Sequence, residues 1–165
     1  THEPYTHTRF AEGMPSGRLT GEFSKEIWNR LRKRFSDEEM RYAQALYDGD
    51  IAYTDAKLGQ FFSEYERTGL LADSIVIVTS DHGEQFWEHG SWGHGQNLYD
   101  HQLHVPLLVY LPDAVREDLN RKGRTQGKAA LVQGIIEDQI ELIDLYPTLL
   151  ELLGIELEIA CQQSP

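Results

Sequence analysis

The sequence predicts an α/β fold in one folding unit. Three observations support this prediction: a long amphipathic helical pattern, two apolar runs of which the first is β-branched, and a short helical pattern near the end. Helix, strand, loop, strand and helix follow one another, which is an α/β order. With 165 residues, 40% of them hydrophobic and 25% charged, the chain is long enough to bury a single core.

The first third of the chain is predicted to contain loops followed by two helices. Prolines and glycines break any periodicity over residues 2–21, and a short helix is expected over residues 24–34. Ser36 and Glu39 have the spacing of a capping box, so a longer helix should begin there and end near Gly69. Its apolar side recurs at three- and four-residue steps and comprises Met40, Ala43, Tyr47, Ile51, Thr54, Leu58, Phe62 and Tyr65.

A strand and a loop follow the long helix. Residues 74–79 are predicted to form the strand, and the apolar, β-branched run Ile75–Thr79 is typical of an interior parallel strand that is covered on both faces. The carboxyl end of such a strand is the expected mouth of a ligand crevice, and Asp81 and His82 lie there. The glycine- and histidine-rich residues 83–95 have no period and are predicted to form an ordered active-site loop.

Shorter patterns predict the remaining elements. The apolar run after the loop is bounded by Pro106 and Pro112, and a proline near Asp144 indicates a helix start. The expected elements are a helical turn at 98–103, a strand at 105–111, a polar loop with a helical turn at 113–128, a strand at 140–144, and a helix through 148–153 that ends at Gly154.

Composition excludes some functions. The net charge of −12 argues against a nucleic-acid partner, because the phosphate backbone favours clustered Lys and Arg, whereas the surplus of carboxylates is compatible with a divalent cation. The one cysteine, Cys161, excludes an internal disulfide, and no run of 18 apolar residues exists. The first residues carry neither Met nor a signal-type pattern, so we expect this chain to be part of a longer protein.

Five of the seven histidines fall between residues 82 and 104. Asp81 and His82 can present one oxygen and one nitrogen to a single cation, and the loop to His94 is long enough to fold back over it. A hard divalent ion requires more oxygen ligands than Asp81 supplies, so this set is incomplete. The alternative is that this stretch is an exposed connector, and for His101 and His104, spaced i and i+3, packing or surface roles are favoured over a metal pair.

The motifs taken together resemble those of the sulfatase family of the alkaline phosphatase superfamily. The resemblance extends over nearly the whole chain, and its pieces occur in the family's order. An H-x-P-Y element stands near the beginning, the T-S-D-H-G-E segment and the motifs after it occupy the middle, and a D-x-x-P-T-L-L element stands near the end. The matching residues are 2–5, 79–84, 88–90, 93–95, 98–100, 105–109 and 143–155.

The resemblance implies the fold and the chemistry. The fold would be an alkaline-phosphatase-like mixed β-sheet flanked by helices, incomplete here, with residues 1–165 as the carboxy-terminal part of the catalytic domain. Asp81 and His82 would bind one divalent metal ion, foremost calcium, with magnesium, manganese or zinc as alternatives, and further ligands would come from the missing amino-terminal half. His2 would help the leaving group depart as a donor or general acid. His94 stands where many members carry a lysine that contacts the sulfate and the leaving oxygen.

The chain departs from the family pattern at the nucleophile. The family's C/S-x-P-x-R element is not present, and residues 15–18 are interpreted as a loop. We therefore expect a sulfate-ester hydrolase fragment that is inactive alone. Two alternatives stay open: a phosphate or phosphonate ester hydrolase or phosphoethanolamine-type transferase, and a noncatalytic metal-binding or interaction fragment. A truncated sheet would also expose an edge through which the chain could self-associate.

Overall fold

The computed structural model describes residues 6–17, 19, 35–122 and 134–155, and divides the chain into two compact units, residues 1–110 and 111–165. The candidate site lies in the first unit. The helix expected at residues 24–34 lies outside the described residues.

Helix α1, Asp37–Arg67, is the longest element and begins where the sequence predicts. The backbone N–H of Glu39 donates to Ser36 Oγ at 3.2 Å, and the backbone N–H of Ser36 donates to Glu39 Oε2 at 2.9 Å, which confirms the capping box. Three acidic residues in the first turn and Arg67 in the last one complement the helix dipole. The predicted end near Gly69 is also confirmed, since that glycine adopts a φ of 79°.

The middle of α1 holds an extended segment against the helix. The buried Asp50 carboxylate accepts hydrogen bonds from the backbone N–H groups of Thr6 and His7, at 3.3 and 2.9 Å, and from His7 Nδ1. The His7 ring stacks on Tyr53 with ring centroids 4.0 Å apart. A Cβ at Gly49 would lie 2.0 Å from the His7 carbonyl oxygen, so glycine is required for this close approach.

The core of the first unit packs against the amino-terminal part of α1. Trp92, only 1% exposed, contacts the rings of Phe35 and Phe86 edge-on, with centroid distances of 5.3 and 4.7 Å. Trp92 is therefore a core residue, as its type predicts by default. Beyond Asp50 the apolar side of α1 is largely exposed. The buried hydrophobic residues of this core are Ala11, Leu19, Phe35, Ala43, Ala45, Leu46 and Trp92.

Strands β1, Val76–Thr79, and β4, Leu107–Tyr110, form a two-stranded antiparallel sheet. The prediction of an interior parallel strand is therefore wrong for this pair. The chain turns back after β1 and returns beside it, with Thr79 opposite Leu107, and both strands keep accessible side chains. Uniform apolarity indicates a buried environment but does not specify the direction of the neighbouring strand.

The loop between β1 and β4 contains more regular structure than its sequence predicts. Strands β2, Gln85–Phe86, and β3, Trp92–Gly93, pair antiparallel as a small hairpin. Its turn is closed by hydrogen bonds from Trp87 N–H to the Ser91 carbonyl and from Gly90 N–H to the Trp87 carbonyl, both 3.0 Å. Helix α2, Asp100–Leu103, follows and confirms the helical turn expected there.

The second unit contains helix α3, Asp113–Arg121, and helix α4, Leu145–Leu153. The strand predicted at residues 140–144 is wrong, because Leu142–Asp144 forms a turn of 3₁₀ helix in which the Asp144 carboxylate accepts the backbone N–H of Glu141 at 3.2 Å. Gly154 ends α4 with a φ of 68°, as predicted. Among the described residues, no helix is long and apolar enough to span a bilayer.

Candidate metal centre

The candidate centre begins where β1 ends. Ser80 Oγ donates to the His82 carbonyl oxygen at 2.7 Å, and the backbone N–H of His82 donates to Asp81 Oδ1 at 3.1 Å. These bonds turn the chain sharply after Thr79. The Asp81 side chain is 88% exposed and that of His82 is 30% exposed, so both remain accessible to an ion from solution.

Asp81 and His82 direct an oxygen and a nitrogen to neighbouring positions. Asp81 Oδ2 lies 3.7 Å from His82 Nε2. His82 Nδ1 lies 2.8 Å from the Gly83 carbonyl oxygen, which can only accept, so Nδ1 is the donor. In a neutral ring Nε2 is then the unprotonated nitrogen, the form that binds a metal. The separation of the two atoms suits two ligands on one cation at metal–ligand distances of about 2.0–2.4 Å.

The surroundings keep the Asp81 carboxylate charged. Its own backbone N–H makes the largest contribution, and the nearby imidazoles of His82 and His94 contribute as well, so the pKa of Asp81 lies below its usual value. The carboxylate therefore keeps its charge to a lower pH than an ordinary aspartate and loses it as the pH falls through that lowered pKa. At neutral pH Asp81 is a ready ligand for a cation.

His94 lies directly against His82. Their rings are stacked with centroids 4.0 Å apart and planes inclined by 23°. His94 Nδ1 lies 3.4 Å from Glu84 Oε1, and the Glu84 side chain is only 3% exposed. Because a carboxylate can only accept, this contact favours the tautomer of His94 with a proton on Nδ1.

A buried amide network fixes the backbone of the loop that carries His94. Gln85 Oε1 accepts hydrogen bonds from Ser91 Oγ, Asn97 Nδ2 and Gln102 Nε2, at 3.0, 2.8 and 3.2 Å. Gln102 Oε1 in turn accepts the backbone N–H of Gly95 at 2.7 Å. Because Gln85 and Gln102 are only 0 and 5% exposed, bonds lost at their amides are costly, and the network restrains the loop.

The structure brings three of the four sequence-predicted residues together. Asp81, His82 and His94 are in mutual reach, whereas His2 lies outside the described residues. Glu84 was not among the predicted site residues, although it stands within the T-S-D-H-G-E segment. A carboxylate three residues after Asp81 was the available signal for a partner of the neighbouring histidines.

The donor set fits a partial metal site. Asp81 and His82 supply one oxygen and one nitrogen, and no group of three or more potential ligands occurs within residues 6–17, 19, 35–122 and 134–155. Zinc takes four ligands and calcium takes six to eight. The two side chains can therefore form one side of a site whose remaining ligands come from water or from other protein segments.

Comparisons with known proteins identify the family of this chain. A sequence model of the Sulfatase family matches residues 1–155. The chain belongs to the sulfatase family. It is 35% identical to bovine arylsulfatase K over 124 residues, which cover 75% of this chain and 20% of that protein. Human arylsulfatase K is 34% identical with the same coverage, and the chicken protein is 36% identical over 121 residues, covering 73% of this chain and 19% of its own.

The match with arylsulfatase K covers only part of that protein. The chain spans about a fifth of the length of the curated relatives that it matches. No solved structure is significantly similar to it. Helices and small antiparallel sheets are consistent with the α/β fold that the sulfatase family implies, while the complete mixed sheet stays a prediction.

Proposed function

We propose that this chain supplies one side of the metal centre and of the leaving-group pocket in an enzyme that hydrolyses sulfate esters. The observation that carries the proposal is the convergence of Asp81, His82 and His94 at the end of β1, with the two rings 4.0 Å apart. Membership of the sulfatase family supports the reaction class.

The described side chains suggest a division of roles. Asp81 and His82 would hold one divalent cation, foremost calcium, with magnesium, manganese or zinc as alternatives. A cation held there would supply Lewis-acid polarisation of the ester oxygens and activation of the nucleophile. His94, oriented by Glu84, would donate a hydrogen bond to an anionic substrate oxygen, and His2 would act on the leaving oxygen. The nucleophile and the remaining metal ligands would lie in the missing amino-terminal half.

Metal titration of the isolated chain tests the centre. We expect binding in the range of roughly 10⁻⁴–10⁻³ M, because water must fill most coordination positions. Asp81→Ala should weaken binding at least about tenfold, or about 1.4 kcal/mol. Asp55→Ala, which removes an exposed carboxylate from α1, is the matched control and should leave calorimetric heats unchanged. Equal heats for the chain and Asp81→Ala would remove Asp81 from the ligand set.

Turnover assays test whether the chain is incomplete. With an aryl sulfate or an aryl phosphate and each of the four cations, the isolated chain should show no turnover, because the family's nucleophile element is not among its residues. Robust turnover that His94→Ala abolishes would show that a nucleophile lies within this chain.

The residue that provides the nucleophile distinguishes the alternative substrates. A Cys or Ser in a C/S-x-P-x-R setting upstream of Thr1 in the gene would support sulfate esters. A Thr there would support phosphoryl transfer instead, and with it the phosphate ester, phosphonate ester or phosphoethanolamine alternatives. If the chain binds no divalent metal and no nucleophile element is encoded upstream of Thr1, a noncatalytic interaction fragment becomes the favoured interpretation.

A further inference from the structure

His89 and His101 form a second group of histidines, whose ring contact does not involve Asp81 or His82. The rings of His89 and His101 have centroids 5.0 Å apart, with planes inclined by 72°. The ring of Tyr99 stacks on His89 at a centroid distance of 3.7 Å. All three side chains are exposed. The spacing of His101 and His104 left a metal pair as the less favoured interpretation, and the structure places His101 beside His89 instead.

The centroid separation of the two rings is compatible with a shared metal ion. A late transition metal binds imidazole nitrogen at about 2.0–2.1 Å, and the ring centre lies about 1 Å beyond that nitrogen, so two imidazoles in tetrahedral arrangement have centres roughly 5 Å apart. Imidazole is a preferred ligand of zinc, copper and nickel, whereas calcium and magnesium prefer oxygen. The ligand chemistry therefore differs from that expected at Asp81.

The backbone around both histidines is fixed, so their separation is built into the fold. His89 lies in the closed turn between β2 and β3, and His101 lies in α2. Gln102, next to His101, is bonded to Gln85 of the hairpin through the buried amide network. Stacking on Tyr99 also restricts the His89 ring. Ligands held in place before binding lose little conformational freedom when the metal arrives.

We propose that His89 and His101 form a two-imidazole binding site for a late divalent transition metal such as zinc, copper or nickel. Water completes the coordination, since no third His, Cys, Asp or Glu joins them among the described residues. Binding is therefore exchangeable. The bound ion bridges the β2–β3 turn and α2, and so ties down the loop that carries His94. This proposal does not depend on the hydrolytic function.

Zinc titration of the chain labelled with ¹⁵N-histidine tests the site, because all seven histidines report separately in one spectrum. Substoichiometric zinc should shift the ring signals of His89 and His101 together. His89→Ala and His101→Ala should each weaken the binding at least about tenfold, because each variant leaves a single imidazole in place of a chelating pair. His104→Ala, which removes an exposed histidine three residues from His101, should bind zinc like the parent chain.

Two results would overturn the proposal. One is zinc that shifts the His82 and His94 rings while those of His89 and His101 stay in place. The other is unchanged affinity in both alanine variants. The Asp81→Ala variant separates this site from the candidate centre, since the response of His89 and His101 should persist there even if the centre has lost its metal.

Discussion

At the scale of single residues, Gln102 connects three parts of the loop that carries His94. It is 5% exposed, and its side chain bonds to Gly95, Gln85 and Asn97 at 2.7, 3.2 and 3.0 Å. Gly95 follows His94 directly. The position of the candidate substrate-binding histidine therefore depends on one buried amide.

Gln102→Leu should destabilise the protein by about 1–3 kcal/mol, because the leucine fits in volume but leaves the Gly95 N–H without its acceptor and removes one donor each from Gln85 Oε1 and Asn97 Oδ1. Urea unfolding measures the loss. Gln44→Leu, the same change at an exposed position of α1, should alter the free energy of unfolding by no more than about 0.5 kcal/mol. Equal effects of the two substitutions would show that the network contributes no stability.

The sequence allowed the site residues to be predicted where the signal was local. Asp81 and His82 are adjacent and follow an apolar run, and His94 stands in a motif. The bonds of Gln85 to Asn97 and Gln102 could not be predicted, because they join residues 12 and 17 positions apart and no spacing rule identifies such amide pairs. The pairing of His89 with His101 escaped prediction for the same reason.

At the scale of elements, α1 contains two glycines in opposite environments. The Gly49 Cα faces the His7 carbonyl, whereas a Cβ at Gly59 would meet nothing within 4 Å. Alanine has the higher helix propensity at both positions, by about 1 kcal/mol. Packing around the new methyl group therefore determines whether alanine stabilises or destabilises the protein at each position.

Gly59→Ala should raise the free energy of unfolding by about 0.5–1 kcal/mol. Gly49→Ala should lower it by about 1–3 kcal/mol, because the new methyl group must displace the backbone of His7. Thermal or urea denaturation of both variants measures the difference. A stabilised Gly49→Ala variant would mean that the segment at residues 6–8 does not pack on α1 in solution.

Element prediction succeeded for α1, whose two ends are marked by local sequence signals. It failed at residues 140–144. The capping box of Ser36 and Glu39 and the end at Gly69 are local signals that the structure retains. At residues 140–144 an apolar pattern indicated a strand, but a local bond from Glu141 to Asp144 favours a 3₁₀ turn. The antiparallel pairing of β1 with β4 depends on distant contacts, which periodicity does not report.

At the scale of the whole molecule, a large apolar surface is exposed in the first unit. Leu108, Val109 and Tyr110 of β4 are 60, 51 and 43% exposed. An open groove of about 600 Å³ lies between the carboxy-terminal part of α1 and residues 74–79. An apolar two-stranded sheet with open edges is prone to pair with a further strand.

We propose that the isolated chain self-associates through this sheet. Its apparent mass should rise with concentration in size-exclusion chromatography with light scattering. Leu108→Lys should reduce the association, because a charge on an exposed strand disfavours pairing. Leu98→Lys introduces the same charge at a loop residue that is 81% exposed and should leave the association unchanged. A monomer at all concentrations would contradict the proposal.

The contact between His82 and the Gly83 carbonyl has a consequence for chemical selectivity. The orientation of a single peptide plane, between Gly83 and Glu84, determines which nitrogen of His82 carries the proton. If that plane rotated, Nδ1 would lose its acceptor, and the preference for Nε2 as the metal-binding atom would disappear. The main chain at Gly83 thus selects the nitrogen of His82 that is available to a metal. The backbone N–H of Gly83 is itself held by its hydrogen bond to the Gln102 carbonyl.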